Sequence, residues 1–362
     1  MPTFMRRLYL LIAIPLLTLL GAFSSSASVA APLKVGFLYV GPISDHGWSF
    51  QHEQGRKAVD AHFGDKVETT FIENVAGGAD AIRAIERLAR DGNTLIFTTS
   101  FSFMNPTLRV AKKYPQVKFE NATGFKQAKN VGTYSARFYE GRYVIGQMAG
   151  QISKAGIAAY VAPFPVPEVI RGMNAFVLGA RTVNPDFKIK VVWTNSWYDP
   201  AKEADAAKAL IDQGADVLVQ HTDSPAPLQI AQEKGIIGFG QSSDMAKFAP
   251  NSQVTSIVDD WAPYYIERVQ AVLDGNWKAQ DTWGGLKTGM VKLSPIANVE
   301  ESIAERAQET IGKLENGEII VFQGPLNKQD GSSFLAKGAS ATDQQLLQMN
   351  FYLEGMDGKL PN

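Results

Sequence analysis

Cysteine is missing altogether from the 362 residues. That excludes a disulfide framework, a thiol nucleophile and thiolate metal sites together, and it removes the acceptor for a bacterial lipid anchor. Histidine is scarce: His46, His52, His62 and His221 are the only four, and none is paired as in HExxH. A GxSxG elbow, a P-loop and a glycine-rich dinucleotide turn after the first strand are lacking as well. Neither sign of charge dominates, with 35 Lys and Arg against 36 Asp and Glu, so nothing favours nucleic acid or an anionic membrane as partner. Beyond the first thirty residues no apolar run is long enough to cross a bilayer. Binding of a small solute, with no cofactor and no metal, is the simplest use these absences leave.

What is present begins with a leader. Arg6 and Arg7 precede the apolar "LYLLIAIPLLTLLGAF", and "SVA" (Ser28, Val29, Ala30) supplies small residues for cleavage near Ala30. The run is short for a span and contains Pro15, so residues 1–30 read as a cleaved export signal rather than a retained anchor. Losing the two arginines takes the formal charge from −1 to about −3. The mature chain, about 330 residues, is long enough for two lobes of roughly 100 to 200 residues each.

Short β-rich runs alternate with helical patterns. The strands read at 33–40, 67–73, 94–100, 117–123, 157–163, 188–194, 216–221 and 236–240. Between them lie stretches such as "ADAIRAIERLARDG", whose Ile82, Ile85, Leu88 and Ala89 share one helical face. Such alternation predicts an α/β chain with parallel sheets wound on both faces. The pattern restarts at "IAAYVAP", after a helix at 140–156 that serves as a passage, so two doubly wound lobes joined by a multi-strand hinge are expected. The N-terminal lobe takes 31–139 plus a returning segment of roughly 260–323, the C-terminal lobe 140–259, and a tail 324–362 follows a final strand "EIIVFQ". The tail holds a short helix opened by Thr342 and Gln345.

Ligands of open parallel sheets sit beyond the carboxyl ends of the strands. The loops there are "GPISDHGWSF", "SFSFMNP", "TNSWYDPAK", "HTDSPAP" and "GQSSDMAKF". Trp48 and Trp197 come from opposite lobes, and a planar heteroaromatic between two indoles gains roughly 1 to 3 kcal/mol per face. The plainer reading makes each indole an anchor of its own loop. Asp45, Asn105, Asp223 and Asp244 offer acceptors for ring N–H or amino groups, Asn105 pairs donor with acceptor as adenine requires, and Phe103 adds an aromatic wall. Asp199 before Pro200 reads as a helix cap, whereas Asp223 before Pro225 is either cap or ligand contact. On "PEVIRGMNAFVLGA" the core face is Val169, Ile170, Met173, Phe176 and Val177; Arg171 and Asn174 share another face, with Asn174 a candidate contact.

Nearly the whole mature chain, from "KVGFLYVGPISDHGWSFQHEQG" through "NVAGGADAIRAIERLARDG", "YPQVKFENATG", "TYSARFYEGRYVIGQMAG" and "DPAKEADAAKALIDQGADVLVQ" to "TSIVDDW" and "WGGLKTGMVKL", resembles the BMP (basic membrane protein, PnrA-like) family of periplasmic substrate-binding proteins. The resemblance implies a type I periplasmic binding fold, closure around a ligand, and delivery to an ABC permease with a separate ATPase by a protein that is a monomer. It also implies purine nucleosides as ligands, stacked at the positions of Trp48 and Trp197. Two positions depart from that pattern. Asp259 stands where the nucleoside binders usually carry a ribose-contacting lysine, and Asn105 where they carry an aspartate. The departures favour a free purine base, adenine first; purine nucleosides, a sugar-like solute and an exported nucleosidase-type hydrolase are the alternatives. A repressor's sensing core shares the architecture, but no helix-turn-helix precedes this one.

Overall fold

Four of the strands expected in the first half form one sheet: β1 (Leu33–Leu38), β2 (Val67–Ile72), β3 (Leu95–Thr98) and β4 (Lys118–Ala122). They belong to a computed structural model that describes residues 31–44 and 46–361 together with Met1. The expected leader and Asp45 lie outside the described residues. β5 (Val131–Ala136) and β11 (Asp281–Gly284) complete the sheet in the order β11-β5-β4-β3-β1-β2, with every pairing parallel. The second sheet contains β6 (Ile157–Ala162), β7 (Lys188–Trp193), β8 (Val217–Gln220), β9 (Ile237–Ser242), β10 (Gln253–Asp259) and β12 (Val291–Leu293), ordered β12-β10-β9-β8-β6-β7. Only the edge pair β10–β12 is antiparallel there.

Strands buried on both faces read as unbroken apolar runs, and β3 and β8 are buried at every residue. Alternation then sorts the side chains. Val35, Phe37, Leu95 and Phe97 join the core that α1 (Gly47–Phe63) and α8 (Ala262–Leu273) cover, while Leu38 and Ile96 join the one beneath α2 (Ala79–Arg90) and α3 (Met104–Lys113). In the second sheet Tyr160 and Val219 face α4 (Phe138–Ile152) and α5 (Pro167–Arg181); Val161 and Leu218 face α6 (Pro200–Asp212) and α7 (Ala226–Glu233). The five predicted core residues of α5 are all buried. α4 and α5 cross so closely that a Cβ at Gly146 would run into the Phe176 carbonyl.

The segment 260–323, expected as a return to the first lobe, divides between the two. α8 packs on α1 and β11 extends the first sheet, but β12 and α9 (Glu301–Glu315) lie with the second. Among the described residues the chain thus passes between the sheets three times, after β5, after β10 and after β11. α8 is stapled in place by Arg268, whose Nε donates to the buried Glu120 at 2.6 Å, with Tyr264 and Trp277 donating to the same carboxylate. The final strand expected at "EIIVFQ" does not form: Phe322 is buried against Tyr139, and only Gln323 bridges to Ser340. Asp199 caps α6 through the Lys202 N–H, and Thr342 with Gln345 makes the capping box of α10 (Asp343–Leu347).

Candidate ligand site

The carboxyl ends of both sheets converge on one cleft, with about 870 Å3 of empty space counted out to its mouth. Trp48, Ser100, Phe101, Thr123, Phe125 and Ser135 line it from the first lobe. Val166, Pro167, Glu168, Arg171, Trp197, His221, Asp223, Gln241 and Ser242 line it from the second, and Leu347 comes from the tail. The mixture of aromatic walls with a few polar groups is what small-molecule pockets use.

Trp48 sits on the first turn of α1, and its Nε1 donates to the Thr99 carbonyl at 2.6 Å. Its ring meets His52 and Trp261 edge-on, with centroids 4.5 and 5.5 Å away. Trp197 is held from the backbone, its carbonyl accepting from the Asp223 N–H at 3.0 Å, and its ring tilts against Phe164. The loops after β7 and β8 are tied together by Glu203, which accepts from the Asp199 N–H at 2.8 Å and from the Ser224 hydroxyl at 2.6 Å. Thr123, Asn195 and Ser242 adopt left-handed backbone at φ 56°, 52° and 61°. Such strain costs on the order of 1 kcal/mol or more per residue and clusters at working loops.

Asp223 crosses the cleft. α1 has neither a side-chain cap nor an acidic residue in its first turn. Its free N–H groups are met instead from the other lobe: Trp48 N–H donates to Asp223 Oδ1 and Gly47 N–H to Ser243 Oγ, the latter at 2.7 Å. Gln51 adds a bond to the Asp259 carbonyl at 2.6 Å. A carboxylate at a helix N-terminus meets both orphan donors and the positive end of the dipole. Asp223 does not cap the α7 that follows it in sequence; its carboxylate caps α1 across the cleft while lining the cavity. Burial pushes its carboxyl up to about 7 against the opposing Trp48 hydrogen bond.

Beneath these groups lies a buried polar layer. Arg142 donates to the Gln220 carbonyl at 3.0 Å and to Gln241 Oε1, which fixes an amide on the cavity wall. His221 bonds Tyr160 through Nδ1 at 3.2 Å and lies 3.6 Å from Glu168. Burial, with Arg142 nearby, pulls its pKa to about 4, so at neutral pH it is uncharged and forms no ion pair with Glu168. Asp259 is fully buried, and burial with Glu168 nearby raises its carboxyl well above the usual range.

Of the residues singled out from sequence, Trp48, Trp197 and Asp223 meet in this cavity. Four others stand elsewhere. Phe103 is wholly buried in the core under α2 and α3, and Asn105 is exposed on the first turn of α3. Asp244 is exposed and accepts from Ala246 N–H in its own turn and from Gln253 Nε2 at the start of β10. Asn174 is spent on the tail, donating to the Phe351 carbonyl at 2.9 Å and accepting from the Leu353 N–H at 2.9 Å. Sequence reasoning missed Phe101, Glu168 and Gln241, and of the pair Arg171 and Asn174 it favoured the one that does not line the cavity. Glu168 and Arg171 follow β6, a strand end left out of the list of loops, and Phe101 stands two residues before the Phe103 that was chosen.

Two lobes, three crossings and a cleft at the strand ends agree with what a family comparison finds: the model for PnrA-like ABC transporter substrate-binding proteins matches residues 33–329. The chain belongs to this family. Its ligand is therefore a small molecule and its partner a transporter permease, and the family is one of solute-binding proteins. A purine-binding protein of Brucella abortus is 58% identical over 336 residues, 93% of this chain and 96% of its own. A putative ABC transporter glucose-binding protein of Haloferax volcanii is 36% identical over 331 residues, 91% of this chain and 82% of its own. A solved ABC transporter solute-binding protein from Aeropyrum pernix shares the fold at TM-score 0.70 and 18% identity, over 89% of this chain and all of its own. Among the described residues no helix is long and apolar enough to cross a membrane.

Proposed function

We propose that this family member captures a free purine base between Trp48 and Trp197 and delivers it to its permease. One observation carries the reading: two indoles from opposite lobes line a single cavity, with Phe101 and Phe125 beside them. A flat heteroaromatic can use both, and the polar groups of Glu168, Asp223, Gln241 and Ser242 on the second lobe suit the N–H and ring nitrogens of a base edge. The Brucella relative's purine-binding name points the same way. Asp259, at the position where the resembling nucleoside binders carry a lysine, is fully buried and does not line the cavity, so it supplies no ribose contact there. Asn105 lies outside the cavity, and adenine is the first base to test on the purine-binding name of the Brucella relative. The protein acts as an exported periplasmic monomer without its first thirty residues.

The glucose-binding name of the Haloferax relative gives a sugar as second reading, since sugars also stack on indole. A thermal-shift and calorimetry panel on unfolded and refolded protein separates the two, because a ligand of the native state raises Tm with concentration. Adenine, hypoxanthine, guanine, adenosine, inosine and D-glucose form the panel. Free bases binding more tightly than nucleosides and glucose is the expected order, and Trp197→Ala weakens base binding roughly tenfold to a hundredfold. Glucose as the best ligand, or nucleosides above every base, overturns the reading.

A further inference from the structure

The family model ends at residue 329, yet the chain beyond it reaches the cleft. α10 lies in this extra segment, and its last residue, Leu347, lines the same cavity as Trp48 and Trp197. The helix is held there by side chains of the second lobe and the hinge. Arg137, just before α4 at the first crossing, makes two bonds of 2.8 Å to the Asp343 carboxylate. Arg171, itself on the cavity wall, donates to the Leu346 carbonyl at 2.6 Å. Both guanidinium groups lie over the ring of Trp283 on β11, at 4.3 and 4.8 Å. Leu346 and Met349 are buried beside Leu347, which stays partly open on the cleft side.

We propose that the segment beyond residue 329 is a part of the ligand site, with Leu347 forming an apolar wall against the bound solute and Arg137 and Arg171 positioning it. A segment that only strapped the surface of the second lobe would need Leu346, Met349 and Leu353 for its hold, but not a leucine facing the cavity between the lobes. The inference rests on the cleft being the ligand site and not on which solute fills it.

The absence of cysteine makes the test clean, because a thiol introduced at one position is the only one in the chain. Leu347→Cys is compared with Ser332→Cys, an exposed position on the same segment, by the rate of maleimide labelling. In stripped protein the thiol at 347 should label several-fold more slowly than that at 332. A saturating solute from the purine, nucleoside and glucose panel that raises the Tm of the native chain should slow labelling at 347 at least tenfold further and leave 332 unchanged. Leu347→Ala, with an unchanged circular-dichroism spectrum, should weaken that solute roughly fivefold, the loss for part of a side chain's apolar contact. A solute that binds without changing either rate overturns the inference. Should nothing on the panel bind, the purine reading falls by itself, and equal rates at 347 and 332 in stripped protein overturn this one as well.

Discussion

Asp223→Asn removes one proton site while leaving an acceptor for the Trp48 N–H, since the amide oxygen can take the place of the carboxylate. In the folded chain burial lifts the Asp223 carboxyl to about 7, with Glu203 pushing the same way. In the unfolded chain the group titrates near about 3.9. The folded value is the higher one, so the folded protein holds the proton more tightly. Its contribution is complete below about pH 3.9 and is lost as pH rises through 7. Between pH 5.5 and 8 the loss covers about 1.5 pH units, or roughly 2 kcal/mol as an upper figure for a partly buried group. At the unfolding entropy of a chain this size that is about 3 °C in Tm. Other groups titrate as well: burial raises Asp259, Glu120, Glu140 and Glu203, and it lowers His52 and His221. Native and variant share all of these groups, so the difference between their Tm curves reports Asp223 together with its charge coupling to Asp259 and Glu203. The gap should open in the variant's favour by about 3 °C from pH 5.5 to 8. Curves that stay parallel would mean that burial across the cleft does not raise the carboxyl, and the reasoning from its desolvation would fail.

Two further substitutions probe the same architecture. Gly47 has φ 82°, and a Cβ there would strike the Asp223 carboxylate across the cleft, so Gly47→Ala should disfavour closure and cut ligand affinity more than about tenfold while unliganded Tm falls little; a large Tm loss with normal affinity would place the damage in α1 instead. Arg268→Met strands Glu120 in the core of the first lobe, and urea unfolding should show a loss of about 3 to 5 kcal/mol with the order of ligands unchanged; a loss under about 1 kcal/mol would mean that water reaches the pair.

How far the sequence could be read followed from what kind of signal each part carries. Strands buried on both faces, such as "LIFT" and "VLVQ", announce themselves as apolar runs, and with the half-exposed β2 and β7 eight strands were legible. β5 was not, because "VGTYSA" mixes Gly, Thr and Ser with its apolar residues; Tyr134 is tolerated in the core by bonding the Tyr265 hydroxyl at 2.8 Å, a partner 131 residues away. β11 and β12 have four and three residues, too few for any period, so the division of the returning segment was hidden. "EIIVFQ" misled in the opposite direction, having strand composition but no neighbouring strand to pair with.

The site shows the same division, between what a strand end fixes and what a distant segment decides. The rule that ligands gather at carboxyl ends was enough to choose Trp48 and Trp197, because each lies between its strand and the end of the first turn of the next helix. Within a loop the rule has no resolution: a single turn of 3-10 helix at Phe101–Phe103 sends Phe101 to the cleft and Phe103 to the core. Asn174 shows the stronger limit. It sits on the same helix as Glu168 and Arg171, in the right lobe, and carries the donor and acceptor that a base would need. Its amide is nonetheless consumed by Phe351 and Leu353, about 175 residues further on, in a segment whose own sequence gives no sign of where it docks. A polar side chain near a cleft is available to a ligand only if no other part of the chain satisfies it first. The tail that takes Asn174 out of the site is the same tail that brings Leu347 into it.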